Sequence, residues 1–239
     1  MQSEVPVHRS VVSPPISHIS QGLALLDSAA VEIRKQRFLG PSSHAILRWM
    51  NIETFNLLVE RLGSQGADDI AWSEGCRLPD NADDFALEAV WVILNSGMKN
   101  TVARGIFERV RPALFEIRPV RDVFGHPGKA AAIETIWRDR VRLYDEFRAA
   151  EDKLAYCAAL PWIGEITKFH LAKNWGEDFA KPDVHLVRVA ERAGTDAHAL
   201  CAQLARESGY RVGTVDLVIW RACATGLLDS RTGALRPNL

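Results

Sequence analysis

The stretch Leu160-Pro161-Trp162-Ile163-Gly164-Glu165-Ile166-Thr167, followed one helix later by Lys181-Pro182-Asp183-Val184-His185-Leu186, decides how this chain is read. The first piece has the composition of a tight turn ending in Gly164, where glycine permits backbone angles and close approach denied to other residues. It opens a helix. The unpaired N–H groups at such a helix start point outward with the positive end of the helix dipole, which suits a phosphate without any basic side chain. In the second piece Pro182 is expected at the first helical position, placing Asp183 in the opening turn of the next helix, where free N–H donors favour an ionised carboxylate.

Composition makes the backbone clamp important, because the 239-residue chain carries a formal net charge of −1 and is no polycation. Its length suffices to bury a substantial core as one domain or two closely packed ones. The four cysteines, Cys76, Cys157, Cys201 and Cys223, have no short paired spacing, so neither zinc nor a disulfide framework is expected. Residues 1–15 lack the basic start and apolar run of a secretory signal; a cytoplasmic location with reduced thiols and no membrane association is expected.

Apolar spacing is helical almost throughout, and the fold class is all-α. Leu23, Leu25, Leu26, Ala30, Ile33 and Phe38 form one amphipathic segment. Ile46, Leu47, Met50, Phe55, Leu58, Val59 and Leu62 form a second, interrupted near Asn51 and ended by residues 63–66. A helix is expected from the Asp80-Asn81-Ala82-Asp83 cap cluster to about Asn95, then others over 101–110, 129–143, 144–159, 195–208 and 214–224. Pro112, Pro119 and Pro127 mark breaks, short strand pairs are possible near 115–120, and residues 64–84 read as a loop.

The hairpin and the later Asp resemble the helix-hairpin-helix DNA glycosylases of the endonuclease III type, the HhH-GPD superfamily. The usual family hairpin reads Leu-Pro-Gly-Val-Gly; Leu160, Pro161, Ile163 and Gly164 fit it, and Asp183 with His185 fit the later element. Upstream, residues 85–96 look like the family's first barrel helix, and Lys99-Asn100-Thr101-Val102-Ala103-Arg104 is similar to a loop of its 8-oxoguanine branch. The resemblance implies two helical lobes with the active-site cleft between them. Residues 1–82 would pack with the C-terminal helices, 83–193 would form a barrel lobe carrying the helix-hairpin-helix at about 154–175 and the catalytic Asp, and 194–239 would complete the second lobe.

What the resemblance implies chemically is removal of a damaged or modified base from double-stranded DNA by a monomeric enzyme. The target nucleotide must leave the stack, since its glycosidic bond is shielded inside a duplex. Asp183 would be the catalytic carboxylate, stabilising positive charge on the deoxyribose and orienting or deprotonating water; its other reading is an Asp that caps a helix. Trp162, Ile163, Gly164, Ile166, Thr167, Lys168, His185 and Arg188 would contact DNA. Asn95, Met98, Asn100 and Arg104 would fill or flank the gap left by the extruded base. Lys99, Arg104, Arg109, Arg111, Arg118 and Arg121, against Glu108 and Glu116, form a locally basic flank that steers DNA or is simply a solvated face.

Departures from the family pattern carry information. Trp162 stands at the first hairpin glycine, so the turn differs or the indole reaches a neighbouring groove. Ile166 stands where strand-cutting members carry a nucleophilic lysine, which argues for base removal only. Lys168, two residues on, is rotated by roughly 200° on a helix and is either a displaced lyase lysine, a phosphate contact or a solvated side chain. Cys201 and Cys223 alone cannot supply the four closely spaced cysteines of the family's iron-sulfur cluster. No cofactor is expected, although the hairpin has room for a monovalent cation. Two other readings stay open: an enzyme for bulky hypermodified, phage-type pyrimidines or their nucleotides, and a non-catalytic helix-hairpin-helix DNA-binding module.

Overall fold

A computed structural model of the chain describes residues 49–236. The amphipathic segment expected over residues 23–38 lies outside the described residues. Within them are ten α-helices: α1 Ile52–Gly75, α2 Ala82–Asn95, α3 Asn100–Phe115, α4 Pro127–Arg138, α5 Arg140–Ala149, α6 Lys153–Ala159, α7 Thr167–Asn174, α8 Val184–Arg192, α9 Ala197–Ser208 and α10 Val212–Ala224. A single 3-10 turn, Val120–Asp122, and one antiparallel bridge between Leu228 and Leu235 complete the regular structure. The chain is all-α among the described residues, and no strand forms at 115–120. Instead Ile117 ends α3 with φ of 56°, its N–H donating to Leu114 and that of Arg118 to Ala113, so the chain leaves the helix through a left-handed residue.

Local chemistry sets most helix boundaries. Asn51, Asn81, Asp152, Asp183 and Asp196 each cap a helix, their side-chain oxygens accepting N–H groups that would otherwise be orphaned. The helices expected over 129–143 and 144–159 are three helices, broken at Asp139 and at residues 150–152, where the Asp152 side chain caps the next helix. Pro112 does not break α3: it lies in the last turn, and its flanking Val110, Ala113 and Leu114 are buried. Residues 63–66 bend α1 rather than end it. Gly63 takes φ of 57° and ψ of −141°, and the helix resumes to Gly75, so most of the expected 64–84 loop is helical.

Two hydrophobic clusters divide the chain. Residues from α2 through α7 bury Phe85, Trp91, Ile133, Phe147, Leu171 and Trp175, with the Phe85 and Trp175 rings stacked at 3.9 Å. The other cluster joins α1 to the C-terminal helices through Phe55, Leu58, Leu186, Leu200, Leu204 and Ile219. The changeover falls between Trp175 and Ala180, and the buried Leu186, Val189 and Ala190 of α8 belong to the second cluster; the expected boundary at 193 assigned α8 to the first. Asp183 therefore stands at the head of the second cluster, with the hairpin on the first.

The two clusters meet where the chain crosses between them. Gly176, at φ of 89°, lies against the backbone of Arg77 and Leu78, and a Cβ there would stand 2.6 Å from the Arg77 Cα, so the crossing requires glycine. Arg211 at the start of α10 fastens the crossing: Nη1 donates to the carbonyls of Ser73 and Cys76, both at 3.0 Å, and Nη2 to those of Gly176 and Glu177 at 2.6 and 3.1 Å. A buried bidentate pair, Arg221 with Asp69 at 2.5 and 2.9 Å, locks α10 to the second half of α1.

Candidate nucleic-acid interface and carboxylate

The hairpin is built from the first core outward. Leu160 and Ile163 are buried and anchor the turn, while Pro161, Trp162, Gly164, Glu165 and Ile166 are exposed. Ile163 N–H donates to the Leu160 carbonyl at 3.2 Å, Pro161 follows Leu160, and Trp162 has φ of 66°. That positive φ at the third residue is the mark of a type II turn, which favours glycine there. Trp162 thus adopts the backbone conformation glycine would, at a cost of about 1 kcal/mol. Its indole, 43% exposed, rests on Gly128 and meets the His126 ring edge-on at 5.1 Å.

The available backbone donors lie slightly further along than the sequence implies. Gly164 N–H is engaged by the Thr167 hydroxyl at 2.7 Å, and the Gly164 carbonyl accepts from Lys168 N–H at 3.0 Å. Among the described residues nothing accepts from the N–H groups of Glu165, Ile166 or Thr167, which head α7. These are the donors placed for an anion. Lys168 is tied to Glu165 by a 2.6 Å ion pair on the same turn. The Leu160 carbonyl accepts the hydrogen bond that closes the turn, and the Gly164 carbonyl accepts from Lys168 N–H and the Thr167 hydroxyl.

Asp183 is the N-cap of α8, not a residue inside it, and Pro182 precedes the cap. Its Oδ1 accepts from the N–H groups of His185 at 2.9 Å and Leu186 at 3.0 Å. Its Oδ2 has no partner among the described residues, and the side chain is half-buried. One oxygen fixes the carboxylate while the other stays available. His185 turns from it toward the C-terminal segment, with Nδ1 3.0 Å from the hydroxyl of buried Ser230, and that contact makes it a packing residue. Arg188 is half-buried on α8 and has no hydrogen bond or ion pair among the described residues.

What connects hairpin helix and carboxylate is Asp216, a buried charge in the apolar run of α10. Its Oδ2 accepts from Lys173 Nζ on α7 and, at 2.9 Å, from the backbone N–H of Lys181, two residues before Asp183. Helix α7 is thereby held to the segment that presents the cap. Lys173 and His170 share one face of α7 with Ile166, at spacings of three and four residues. Burial, with Lys181 and Lys173 nearby, pushes the His170 imidazole well below the ordinary histidine range and keeps it neutral. His170, Lys173 and Asp216 were not foreseen; the signal was a lone Asp within Val212-Gly213-Thr214-Val215-Asp216-Leu217-Val218-Ile219 and the shared face with Ile166.

The 95–100 loop is a separate element beside the first cluster. Lys129, buried on α4, donates from Nζ to the carbonyls of Leu94 at 3.0 Å and Ser96 at 2.6 Å, closing the carboxyl end of α2 with a cation. Gly97 reverses the chain at φ of 65°. Asn95 and Met98 are half-buried, Met98 packing against the core, whereas Asn100 is buried at the head of α3 with its side-chain oxygen unpartnered. Met98 is consequently the better placed of the two wedge candidates. Arg104 is half-buried one turn further on; Lys99, Arg109, Arg111, Arg118 and Arg121 are exposed, with Arg118 paired to Glu116 at 2.6 Å.

Among the described residues no group of three or more His, Cys, Asp or Glu side chains could hold a metal ion, and no helix is long and apolar enough to cross a membrane. The cysteines are free, and burial pushes the Cys157 and Cys223 thiols up to about 12. Compared with known proteins, the chain matches no family model, no curated protein and no solved structure.

Proposed function

We propose that this chain is a DNA glycosylase of the helix-hairpin-helix type, which extrudes a damaged or modified base from a duplex and hydrolyses its N-glycosidic bond. The observation that carries the reading is the pairing of two features across the seam of two helical cores. One is a hairpin whose following N–H groups, those of Glu165, Ile166 and Thr167, are unengaged. The other is a carboxylate, Asp183, fixed through one oxygen and open at the other. The hairpin would hold the sugar–phosphate chain through its backbone, which a chain of formal charge −1 needs.

As the bond to the base breaks, positive charge develops on the deoxyribose, and the open oxygen of Asp183 stabilises it and receives a proton from attacking water. Ile166 offers no amine at the head of α7, which favours water as the nucleophile in that step. Asp183 also caps α8, which gives the carboxylate a purely structural reason to exist and keeps a non-catalytic DNA-binding module as the second reading.

Asparagine caps helices as well as aspartate does. Asp183→Asn therefore separates the readings: the enzyme loses excision by at least a hundredfold while it still folds and binds duplex. The assay is incubation with oligonucleotides carrying oxidised, alkylated, deaminated and 5-substituted bases, followed by hot alkali to reveal abasic sites. Wild-type protein that binds duplex and yields no alkali-labile product on any of them supports the module instead.

A further inference from the structure

The head of α4 touches two elements that the glycosylase reading assigns to DNA. On one side is the hairpin: the Trp162 indole rests on Gly128, and the His126 ring meets it edge-on at 5.1 Å while stacking on buried Phe124 at 6.1 Å. On the other side is the 95–100 loop, where Lys129 Nζ donates to the carbonyls of Leu94 at 3.0 Å and Ser96 at 2.6 Å. His126 and Lys129 are joined directly. The His126 Nδ1 caps α4 by accepting the Lys129 N–H at 3.2 Å, and Pro127 fixes the first helical residue between them. A single helical turn therefore carries both contacts.

The last carbonyls of a helix need donors, and water or an exposed side chain commonly supplies them. At the end of α2 the donor is instead a lysine only 4% exposed, with carbonyls as both of its Nζ acceptors. Burial lowers its amine from the ordinary lysine value, and no carboxylate pairs with it among the described residues. Burying a cation in this way is costly, and the apolar packing of Trp91, Ile93 and Leu94 already secures α2. What the amine adds is control of the chain's exit, just before the reversal at Gly97. We propose that Lys129 is a positioning residue that holds the 95–100 loop at a set distance from the hairpin, which keeps insertion into the duplex in register with the grip on the strand. This deepens, and rests on, the glycosylase reading above. Successive phosphates of one strand lie roughly 3.4 Å apart along the duplex axis. Fraying α2 by one residue would shift the loop by about 1.5 Å, nearly half of that step, and would misalign Met98 while the hairpin's own grip stayed intact.

The test uses the full chain and a duplex with a tetrahydrofuran abasic analogue opposite 2-aminopurine, whose fluorescence rises when the loop displaces it from the stack. Lys129→Met keeps the buried stem and removes the donors. Well below its melting temperature, this variant should bind a tetrahydrofuran-containing single strand, which needs only the hairpin, within twofold of wild type. On saturated duplex its fluorescence rise should fall at least fivefold. Should Lys129→Met not fold, His126→Asn tests the other end of the same turn: asparagine keeps the cap, deletes the ring against Trp162, and should lower the rise several-fold with the melting temperature nearly unchanged. A rise equal to wild type in the folded variant, or equal losses of single-strand binding and of the rise, overturns the positioning role. So does wild-type protein that saturates the duplex without any rise. Each of those results leaves the glycosylase reading to the excision assay, which is scored separately; wild-type protein that binds neither strand nor duplex and excises nothing removes both.

Discussion

The indole of Trp162 lies directly on Gly128, so closely that a β-carbon on Gly128 would stand 2.5 Å from Cζ3 of the ring. The two residues come from different parts of the chain, the head of α4 and the hairpin turn. Gly128→Ala should swing the exposed indole off its seat at little cost to the fold, because the ring can move into solvent. We expect a change in unfolding free energy within about 1 kcal/mol and several-fold weaker duplex binding, read by denaturant titration and fluorescence anisotropy. Unchanged binding would remove Trp162 from the DNA-facing surface.

Trp162 itself offers the complementary experiment. Trp162→Gly relieves the left-handed backbone by about 1 kcal/mol and deletes a half-exposed ring, so the melting temperature should move little. Duplex affinity should nevertheless fall. A large loss of stability would mean that the indole serves packing first.

At Asp183 the capping and chemical roles predict different patterns. Asp183→Asn keeps the cap, whereas Asp183→Ala leaves the N–H groups of His185 and Leu186 without an acceptor and should cost about 1 kcal/mol of stability. Both should abolish excision. Equal stability of the two variants in chemical denaturation would contradict the hydrogen bonds at the head of α8.

Glu88 on α2 gives the protein a pH-dependent stability. Burial pushes its carboxyl up to about 7, against the hydrogen bond from Asn174 and helped by Asp84. A carboxyl whose pKa is raised in the folded state binds more protons there than in the unfolded chain. Its contribution is fully present below the unfolded value of 4.5 and is lost as pH rises through about 7. The loss is on the order of 3 kcal/mol, and Glu88→Gln should flatten that slope in thermal melts taken between pH 4.5 and 8.

The Asp69–Arg221 pair is a stability prediction remote from the seam. Both side chains are almost fully buried, so Asp69→Ala removes the bidentate partner of a buried guanidinium and should cost about 3–5 kcal/mol. The loss should register as a lower denaturant midpoint.

Sequence reading succeeded where the controlling chemistry is local. The Asn81 cap, the Leu160-to-Gly164 turn and the Asp183 element each announce themselves within a few residues. It failed where a distant partner decides. Residues 63–66 look like a helix end, yet α1 resumes because Asp69 and Ser73 find Arg221 and Thr214 more than a hundred positions away. Pro182 looks like a first helical residue, yet the Lys181 carbonyl is claimed by Asp183 N–H and the helix begins two residues later, at Val184. Of the candidate site, the hairpin turn and a carboxylate at the start of the following helix were legible. Asp216, which fastens one to the other, was not, because its partners Lys173 and Lys181 become neighbours only once α7 and α10 pack.

Arg211 constrains how the two hydrophobic clusters can move relative to each other. One planar guanidinium grips four carbonyls around the spot where the two chain crossings touch, at Gly176 and Arg77. Sliding one cluster past the other would break several of these bonds at once, whereas a small swivel about the guanidinium preserves them. On the glycosylase reading, any tightening around a duplex would therefore be a pivot at this pin, bringing hairpin and carboxylate together like the jaws of pliers.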